Sequence, residues 1–416
     1  MTPAARLQMA IEILEGLEKT GQPTDRFLKS WFRIRRFAGS KDRRAIAEQV
    51  FSVQRHRASH AHRMGVDTPR ALVIASLLDA GADIPTLTDL FQKGGGEYGP
   101  APLSESEQRV IGAAPPTAPG WVKGEYPQGL EEDLRRAFGD HLAEEMAAFI
   151  GRAPTDIRVN TLKSSRDAVI AQLTADGLVC AATPYAPHGI RIAGEAGNLS
   201  KSPLFESGAF EFQDEAAQIA SLLCGAQPGQ RILDLAAGAG GKSLAIAAAM
   251  NNSGEIVACD TRGEALFELE KRSVRAGVTI IKTLPLDHGQ PSGEFDAVFV
   301  DAPCSGTGTW RRQPELRWRM TAARLAVLME TQDRLLDQAA ALVAPGGRLI
   351  YATCSILPSE NQDRAAAFRL RHPGFSAVNL AENWGSNAPP GLGPDFRASP
   401  LRTGTDGFYC AGFQRL

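Results

Sequence analysis

The chain has 416 residues, of which 43% are hydrophobic and 22% charged, and this suits a globular protein of two or three domains with a net charge of −2. Its 41 glycines and 26 prolines follow no period, which excludes collagen-like and low-complexity chains. The sequence has no uninterrupted apolar run of about 18 residues and no apolar secretory segment at its start. We therefore expect a cytoplasmic protein without a membrane partner. As a separate expectation, the protein is a monomer.

The first 150 residues predict an all-α domain. Apolar residues recur at helical spacing, as in Leu7, Ile11 and Leu14 or in Ile46, Val50 and Val53, and strand patterns are nearly absent. Proline and alanine-rich residues 113–119 predict a surface connection between helical subunits.

The beginning of this helical region carries an excess of positive charge. Between Met1 and Gly65 there are 13 Lys and Arg against 6 Asp and Glu. Residues 29–36 interleave basic with aromatic side chains, a pattern typical of a surface that binds phosphates and stacks on unpaired bases. A solvated helix face has the same composition, so both interpretations remain open. The basic candidates in this stretch are Lys29, Arg33, Arg35 and Arg36.

Residues 151–205 predict a small α+β module, with β-rich stretches at 157–160 and 189–192 around a helical pattern at 166–175. From 206 to 416, apolar β-rich runs alternate with helical patterns. This alternation predicts a parallel, doubly wound, Rossmann-like sheet that binds its ligand at the carboxyl ends of the strands. The predicted strands are 231–235, 256–260, 297–301 and 348–353, with helices at 213–223, 243–250 and 322–343. A long loop is predicted at 383–406, before a last strand at 408–413.

A glycine-containing loop follows the first of these strands. Gly241-Lys242-Ser243 resembles the end of a phosphate-binding P-loop, but that motif needs glycine where Ala236 stands. The dinucleotide fingerprint fails as well, because Ser243 occupies the place of its third glycine. The remaining pattern, Asp-Leu-x-x-Gly-x-Gly, is used by enzymes that bind S-adenosyl-L-methionine. A purely structural tight turn is the alternative.

Acidic residues complete the predicted cofactor site. Asp260 ends the next strand, where a carboxylate can accept hydrogen bonds from both ribose hydroxyls. Asp287 is our candidate for a group near the adenine, although a surface turn explains it equally well. The loop residues predicted to bind the cofactor are Ala236, Ala237, Gly238, Ala239, Gly240, Gly241 and Lys242.

The six cysteines are too scattered for a disulfide framework and form no CxxC pair, so we predict no metal site. Cys304 and Cys354 each follow a predicted strand, where both thiols would face one pocket, whereas we expect Cys180, Cys224 and Cys259 to be inert. Amino-group methyltransferases usually have Asn/Asp-Pro-Pro-Tyr/Phe where this chain has Asp301-Ala302-Pro303-Cys304. A cysteine instead suits methylation of pyrimidine C5, which needs a thiolate to add at C6.

These motifs together resemble the Sun/Fmu family of RNA cytosine-C5 methyltransferases over residues 154–416. The residues that carry the resemblance are Asp301 to Gly308, Arg312 and Pro314, Thr353-Cys354-Ser355, Glu360-Asn361, Gln213-Asp214, Arg158-Val159-Asn160 and Asp406 to Tyr409. The family's usual glycine loop contains a proline where Gly238-Ala239 stands here.

The resemblance implies roles for individual residues. Cys354 attacks C6, and Cys304 helps to release the methylated base. Asp301 holds the pyrimidine near N3 and borders the cofactor, while Arg158 and Asn160 contact RNA. DNA cytosine methyltransferases instead attack with their Pro-Cys cysteine.

The N-terminal third resembles the NusB-like RNA-binding region of bacterial family members that act on small-subunit ribosomal RNA. The similarity lies in residues 38–43, which include Lys41 and Arg43, and in the helix that ends at 53–57. It implies that the helical domain holds RNA while the catalytic domain takes a flipped base. We expect 16S ribosomal RNA as substrate. The alternatives are transfer RNA, DNA, or a non-catalytic RNA-binding assembly factor.

Overall fold

The computed structural model describes residues 1–92, 98–194, 197–382, 384 and 387–416. The chain forms two compact units. The helical unit comprises Met1–Arg135, Asp140–Gly151 and Trp310–Met320, and the sheet unit comprises Arg136–Gly139, Arg152–Thr309 and Thr321–Leu416. No helix within the described ranges is both long enough and apolar enough to cross a membrane. The finer boundaries 1–150, 151–205 and 206–416 stay a prediction.

Local sequence signals define the ends of the first helix of the helical unit. Thr2 caps it by accepting a hydrogen bond from Ala5 N, Pro3 occupies its first turn, and Gly21 ends it in the left-handed conformation at φ 62°. The helices up to residue 151 are α1 (Pro3–Thr20), α2 (Thr24–Ile34), α3 (Ser40–Arg55), α4 (Arg57–Met64), α5 (Pro69–Asp79), α6 (Ile84–Gln92), α7 (Glu105–Gly112), α8 (Gly120–Lys123), α9 (Glu131–Phe138) and α10 (Leu142–Ile150).

A later segment of the chain, Trp310–Met320, completes the core of the helical unit and contains α16 (Leu316–Arg319). Trp310 is fully buried and meets the Phe149 ring edge-on, with the ring centres 6.0 Å apart. The buried Arg317 guanidinium donates to the carbonyls of Glu125 and Phe149 at 2.9 and 2.7 Å. The sequence did not predict this insertion, because it depends on contacts between residues that are far apart in the chain.

The sheet unit begins with an antiparallel four-stranded sheet in the order β2-β3-β1-β4. Its strands are β1 (Thr155–Val159), β2 (Cys180–Ala182), β3 (Gly189–Ile192) and β4 (Phe210–Phe212), with helices α11 (Arg166–Ala175) and α12 (Pro203–Glu206). The α+β character of this region is as predicted, although β4 lies beyond the predicted boundary at residue 205.

A larger sheet follows, in the order β10-β12-β9-β8-β5-β6-β7, with β11 paired to β12. Its strands are β5 (Arg231–Asp234), β6 (Glu255–Asp260), β7 (Ile281–Pro285), β8 (Phe295–Asp301), β9 (Val343–Thr353), β10 (Phe375–Val378), β11 (Asp395–Ala398) and β12 (Phe408–Arg415). The helices of this part are α13 (Glu215–Leu222), α14 (Gly241–Ala249), α15 (Gly263–Ala276), α17 (Ala322–Leu342), α18 (Gln362–Arg371) and α19 (Pro400–Thr403). The Rossmann-like fold class is confirmed.

Two details of the predicted sheet are wrong. It is mixed rather than wholly parallel, because β12 runs antiparallel to β9, β10 and β11. The predicted loop at 383–406 contains β11 and α19, because β12 extends beyond its pairing with β10 and β11 pairs with the remaining residues, 408–411. Asn383 itself lies outside the described residues.

The parallel strands place the chemistry-bearing residues at one edge. Strand β5 pairs with β6 and β8, and β8 pairs with β9, all in parallel. Their carboxyl ends therefore bring together Asp234, Asp260, Asp301 and the turn after Thr353. Apolar side chains cover both faces of the sheet, so these polar ends meet at the border of a packed core.

Candidate active site

Cys304 and Cys354 form the centre of the site. Their sulfur atoms are 3.4 Å apart, and both residues are partly buried. The pairing of Asp301 with Ala352 aligns the ends of β8 and β9, and Ala302 N donates to Ala352 O at 2.9 Å. Two neighbouring strand ends thus present two thiols to one point, as the sequence predicted.

A close backbone contact joins the two cysteine-bearing turns. Gly308 N donates to Cys354 O at 2.9 Å, and Gly308 O accepts from Gly407 N at the same distance. A Cβ at position 308 would lie 2.0 Å from Gly407 O, so only glycine allows this approach.

The surroundings of Cys304 oppose its ionisation. The hydrogen bond with Cys354 and burial raise the pKa of Cys304 well above its ordinary value, and the neighbouring charges raise it further. Cys304 is therefore the protonated partner near neutral pH. When Cys354 is a thiolate, the Cys304 thiol can donate a hydrogen bond to it.

Lys242 provides a positive charge beside this pair. Its Nζ lies 2.5 Å from Asp301 Oδ2 and 5.2 Å from the centre of the Phe408 ring. Burial alone would lower the pKa of Lys242, but Asp301 outweighs burial and raises it, and the charge of Cys354 acts in the same direction. Lys242, predicted as a cofactor ligand, therefore lies on the side of the site where the thiols and Asp301 meet.

The glycine loop connects β5 to α14. Gly238 and Gly240 have φ values of 55° and 75°, and a Cβ on Gly240 would lie 1.9 Å from Leu269 Cδ1. Within the loop, Gly238 N donates to Asp260 Oδ2 at 2.8 Å. At its base, Ser243 Oγ donates to the buried Asp234 at 2.6 Å. The loop thus presents backbone close to the predicted ribose-binding carboxylate, as a nucleoside ligand requires.

Arg262 holds the Asp260 carboxylate, a contact that sequence reasoning missed. Its backbone N–H and Nε donate to Asp260 Oδ1 at 2.8 and 3.0 Å, and its Nη2 donates to Oδ2 at 3.0 Å. Burial alone would raise the pKa of Asp260, but the hydrogen bonds from Arg262 and Gly238 lower it. The Arg262 side chain is 70% exposed, so its guanidinium has room to move when a ligand approaches Asp260.

Asp287 lies at the same sheet edge. It follows β7, where Leu286 N donates to Asp260 O at 3.0 Å, and its side chain is 67% exposed. This position is compatible with a contact to the adenine, which stays a prediction.

The predicted RNA-binding residues of α2, of α3 and of the turn between them fall into two groups. Lys29, Arg33, Arg36 and Lys41 are exposed, and no carboxylate in the described part of the chain pairs with them. Arg35 is instead stacked 3.3 Å above the Trp31 ring, while the half-buried Arg43 donates to Ala38 O at 2.7 Å. Four free cations thus remain available for phosphates.

The aromatic side chain exposed near these cations is neither of the two, Trp31 and Phe32, that lie in the predicted stretch 29–36. Phe32 is buried, and Trp31 is covered by Arg35 and by Phe27. Ile34 and Phe37 are 74% and 70% exposed, next to the free cations. A base could therefore stack on Phe37 rather than on Trp31 or Phe32.

Arg158 and Asn160 are placed differently from what the resemblance implied. Both are buried. Arg158 donates to Gln213 Oε1 and, at 2.7 Å, to Gly241 O. Asn160 Nδ2 donates to Gly208 O and Ala276 O. These hydrogen bonds are internal and join β1 to the glycine loop and to the end of α15, while Arg158 Nε is buried without a hydrogen-bond partner in the described residues, so a contact of either side chain with RNA stays a prediction.

Comparison with known proteins gives two family matches. Residues 221–414 match the model described as 16S rRNA methyltransferase RsmB/F. Residues 126–197 match the ferredoxin-like domain of RsmF/B-like methyltransferases. The two matches together include β1 to β3 of the small sheet and nearly all of the large sheet, but not β4.

Curated relatives and a solved structure give longer matches. A probable ribosomal RNA small subunit methyltransferase B of Synechocystis is 33% identical over 306 residues, 70% of this chain and 67% of the relative. The ribosomal RNA small subunit methyltransferase B of Sodalis glossinidius is 34% identical over 69% of this chain and 65% of its own length. The chain thus spans about two thirds of these relatives. The crystal structure of PH0851 is similar with a TM-score of 0.79 at 26% identity, over 100% of this chain and 99% of that one.

Proposed function

The chain belongs to the 16S rRNA methyltransferase RsmB/F family, and from this premise we propose that it methylates C5 of a cytosine in 16S ribosomal RNA, with S-adenosyl-L-methionine as methyl donor. The observation that carries the proposal is the pair of thiols 3.4 Å apart beside Asp301 and Lys242. A methyltransferase that modifies an amino group needs no thiol, whereas C5 of a pyrimidine becomes nucleophilic only after a thiolate adds to C6.

In the proposed reaction, Cys354 is the nucleophile. Its thiolate forms a bond to C6, and the electron pair of the C5–C6 double bond becomes available at C5. Asp301 holds the pyrimidine near N3, and the Lys242 ammonium balances negative charge next to Asp301 and Cys354. S-adenosyl-L-methionine, when bound, supplies the electrophilic methyl group that C5 takes.

Cys304 takes part in the release of the product. After methylation, C5 transfers its proton to a water molecule, the electron pair of the C5–H bond restores the C5–C6 double bond, and the bond between Cys354 Sγ and C6 breaks so that Cys354 leaves as a thiolate. The Cys304 thiol lies against Cys354 Sγ and can stabilise the departing thiolate by a hydrogen bond. The raised pKa of Cys304 keeps that proton available.

The cofactor would be held by the glycine loop and by two carboxylates. The left-handed backbone at Gly238 and Gly240 fits a nucleoside-binding turn, and the N-terminus of α14 adds free N–H groups. Asp260 would accept the ribose hydroxyls once Arg262 moves aside, and Asp287 would lie near the adenine.

The helical unit would bind RNA through its cationic surface. The four free cations, Lys29, Arg33, Arg36 and Lys41, support contacts with phosphates, and the neighbouring Phe37 offers a ring for an unpaired base. Both curated relatives are named for small-subunit ribosomal RNA, which supports that RNA over transfer RNA.

The proposal is tested by transfer of a tritiated methyl group to purified RNA and DNA. The 16S RNA should come from a strain that lacks the corresponding methyltransferase, and transfer RNA and DNA serve as controls. We expect label in 16S RNA, and bisulfite sequencing should locate it at a cytosine. Label only in transfer RNA or only in DNA would contradict the proposed substrate. A folded protein that binds the cofactor but labels no nucleic acid would contradict the activity.

A further inference from the structure

A buried carboxylate lies beneath the two thiols. Glu360 is fully buried in the segment before α18. Its Oε1 accepts a hydrogen bond from Ser305 N at 2.8 Å, and its Oε2 accepts from the hydroxyls of Ser305 and Ser355, the latter at 2.5 Å. Ser305 and Ser355 each follow one of the two cysteines directly, so one side chain joins both cysteine-bearing turns.

Neighbouring elements hold Glu360 in place. Gln332 of α17 donates both to Glu360 Oε1 and to Pro303 O, each at 3.0 Å. Tyr351 of β9 donates its hydroxyl proton to the Glu360 backbone carbonyl at 2.5 Å. The partners of the carboxylate are all donors, as an acceptor-only group requires. Ser305 binds Glu360 directly, and Pro303 is linked to Glu360 through Gln332. Both chain neighbours of Cys304 are therefore connected to this carboxylate.

We propose that Glu360 is a positioning residue for this reaction: its carboxylate binds both cysteine-bearing turns and so keeps the Cys304 and Cys354 thiols at one separation. The inference rests on the proposed function only where it predicts an effect of Glu360 on RNA methylation. The network itself involves neither RNA nor cofactor.

Cys304 and Cys354 have neighbours of opposite charge. Cys304 faces Cys354 and Tyr351 of β9 and is close to Glu360, whose negative charge adds to the burial that opposes a thiolate there. Cys354 is close to the Lys242 ammonium of α14, which favours negative charge. Cys304 therefore keeps its proton beside Glu360, and the Lys242 ammonium lies on the Cys354 side of the pair.

The inference can be tested on the full-length protein without RNA or cofactor. Wild type and Glu360→Gln are treated with iodoacetamide between pH 6 and 10, and alkylation of Cys304 and Cys354 is followed by mass spectrometry. Loss of one nearby charge should move the Cys304 profile down by on the order of one pH unit, so at a fixed pH below its midpoint Cys304 reacts about 10-fold faster. Glu215→Gln is the matched control, because Glu215 is an equally buried carboxylate that binds Tyr185 N and Ala186 N.

A second variant, Glu360→Asp, separates the effect of the carboxylate charge from that of the side-chain length. Glu360→Asp keeps the charge but is one methylene shorter, so it should leave the Cys304 profile within about 2-fold of wild type while kcat falls and KM for the methyl donor is unchanged. This variant decides the question if Glu360→Gln does not fold. Identical Cys304 profiles in folded wild type, Glu360→Gln and Glu215→Gln would overturn the inference, as would normal turnover of Glu360→Asp. If the pH profile of Cys304 alkylation shifts in Glu360→Gln but the wild-type protein methylates no RNA, the proposed function is refuted. The inferred effect of Glu360 on Cys304 is then still supported.

Discussion

Replacing Asp260 by alanine tests whether this carboxylate binds the ribose of the methyl donor. Asp260 is buried at the end of β6, and its two oxygens already accept hydrogen bonds from Gly238 and Arg262. If the ribose hydroxyls replace the Arg262 guanidinium, they form hydrogen bonds with the charged Asp260 carboxylate. The solvent-accessible ion pair between Asp260 and Arg262 is then lost.

The size of the effect follows from these two interactions. A hydrogen bond to a charged group contributes about 1.5–3 kcal/mol, so loss of one such bond weakens binding about 10- to 150-fold. The Arg262 side chain is 70% exposed, and an ion pair of this kind contributes about 1 kcal/mol at most. Arg262→Ala should therefore tighten cofactor binding, by no more than about 5-fold.

Isothermal titration calorimetry with S-adenosyl-L-methionine measures both dissociation constants. Glu255→Gln is the control, because Glu255 lies at the opposite end of β6 and pairs there with Arg231 and Lys282. Its affinity should equal that of wild type. An Asp260→Ala protein with wild-type affinity would refute the reasoning, and an equal loss in Arg262→Ala would show that Arg262 is itself the ligand.

Three further predictions concern the thiols, the cationic surface and pH. Cys354→Ala should form no covalent complex with RNA, whereas Cys304→Ala should methylate and then accumulate as a denaturation-resistant adduct; the reverse pattern on a denaturing gel would reverse the roles. Replacing Arg33 and Arg36 by alanine should flatten the salt dependence of RNA binding, with the slope of log K against log salt reduced by about 0.7–0.9 per lost phosphate contact, and fluorescence anisotropy giving an unchanged slope would refute it. Burial raises the pKa of Glu125 to about 7, above its unfolded value near 4.5, so its contribution to stability is complete below about pH 4.5 and is lost as the pH rises through 7. Glu125→Gln should reduce the loss of stability between pH 5 and 8 by on the order of a few kcal/mol in denaturant titrations, and an unchanged difference would contradict this.

The parts of the fold that could be predicted are those with strong local patterns. Strands β5, β6, β8 and β9 are apolar β-rich runs in the sequence, and each lies close to its predicted position. The direction of β12 could not be read in this way, because periodicity identifies a strand but not the partner with which it pairs. The short β11 was missed because its surroundings are rich in residues typical of turns.

The site was predictable where spacing along the chain determines the geometry. Cys304 and Cys354 follow neighbouring parallel strands, so the topology of the sheet brings both turns to the same edge. The burial of Arg158 was missed because an arginine in a motif can face solvent or the interior, and only tertiary packing decides between the two. The contact of Arg262 with Asp260 depends on a side-chain conformation that no sequence pattern specifies.

The insertion of Trp310–Met320 into the helical unit has a consequence for the order of folding during synthesis. A ribosome that has made residues 1–151 has produced α1 to α10, but not the tryptophan and arginine that complete their core. Those residues follow roughly 160 positions later, after β1 to β8 have been made. Although domains generally fold from the N-terminus onward, this helical unit can reach its complete packing only once most of the sheet unit has been translated.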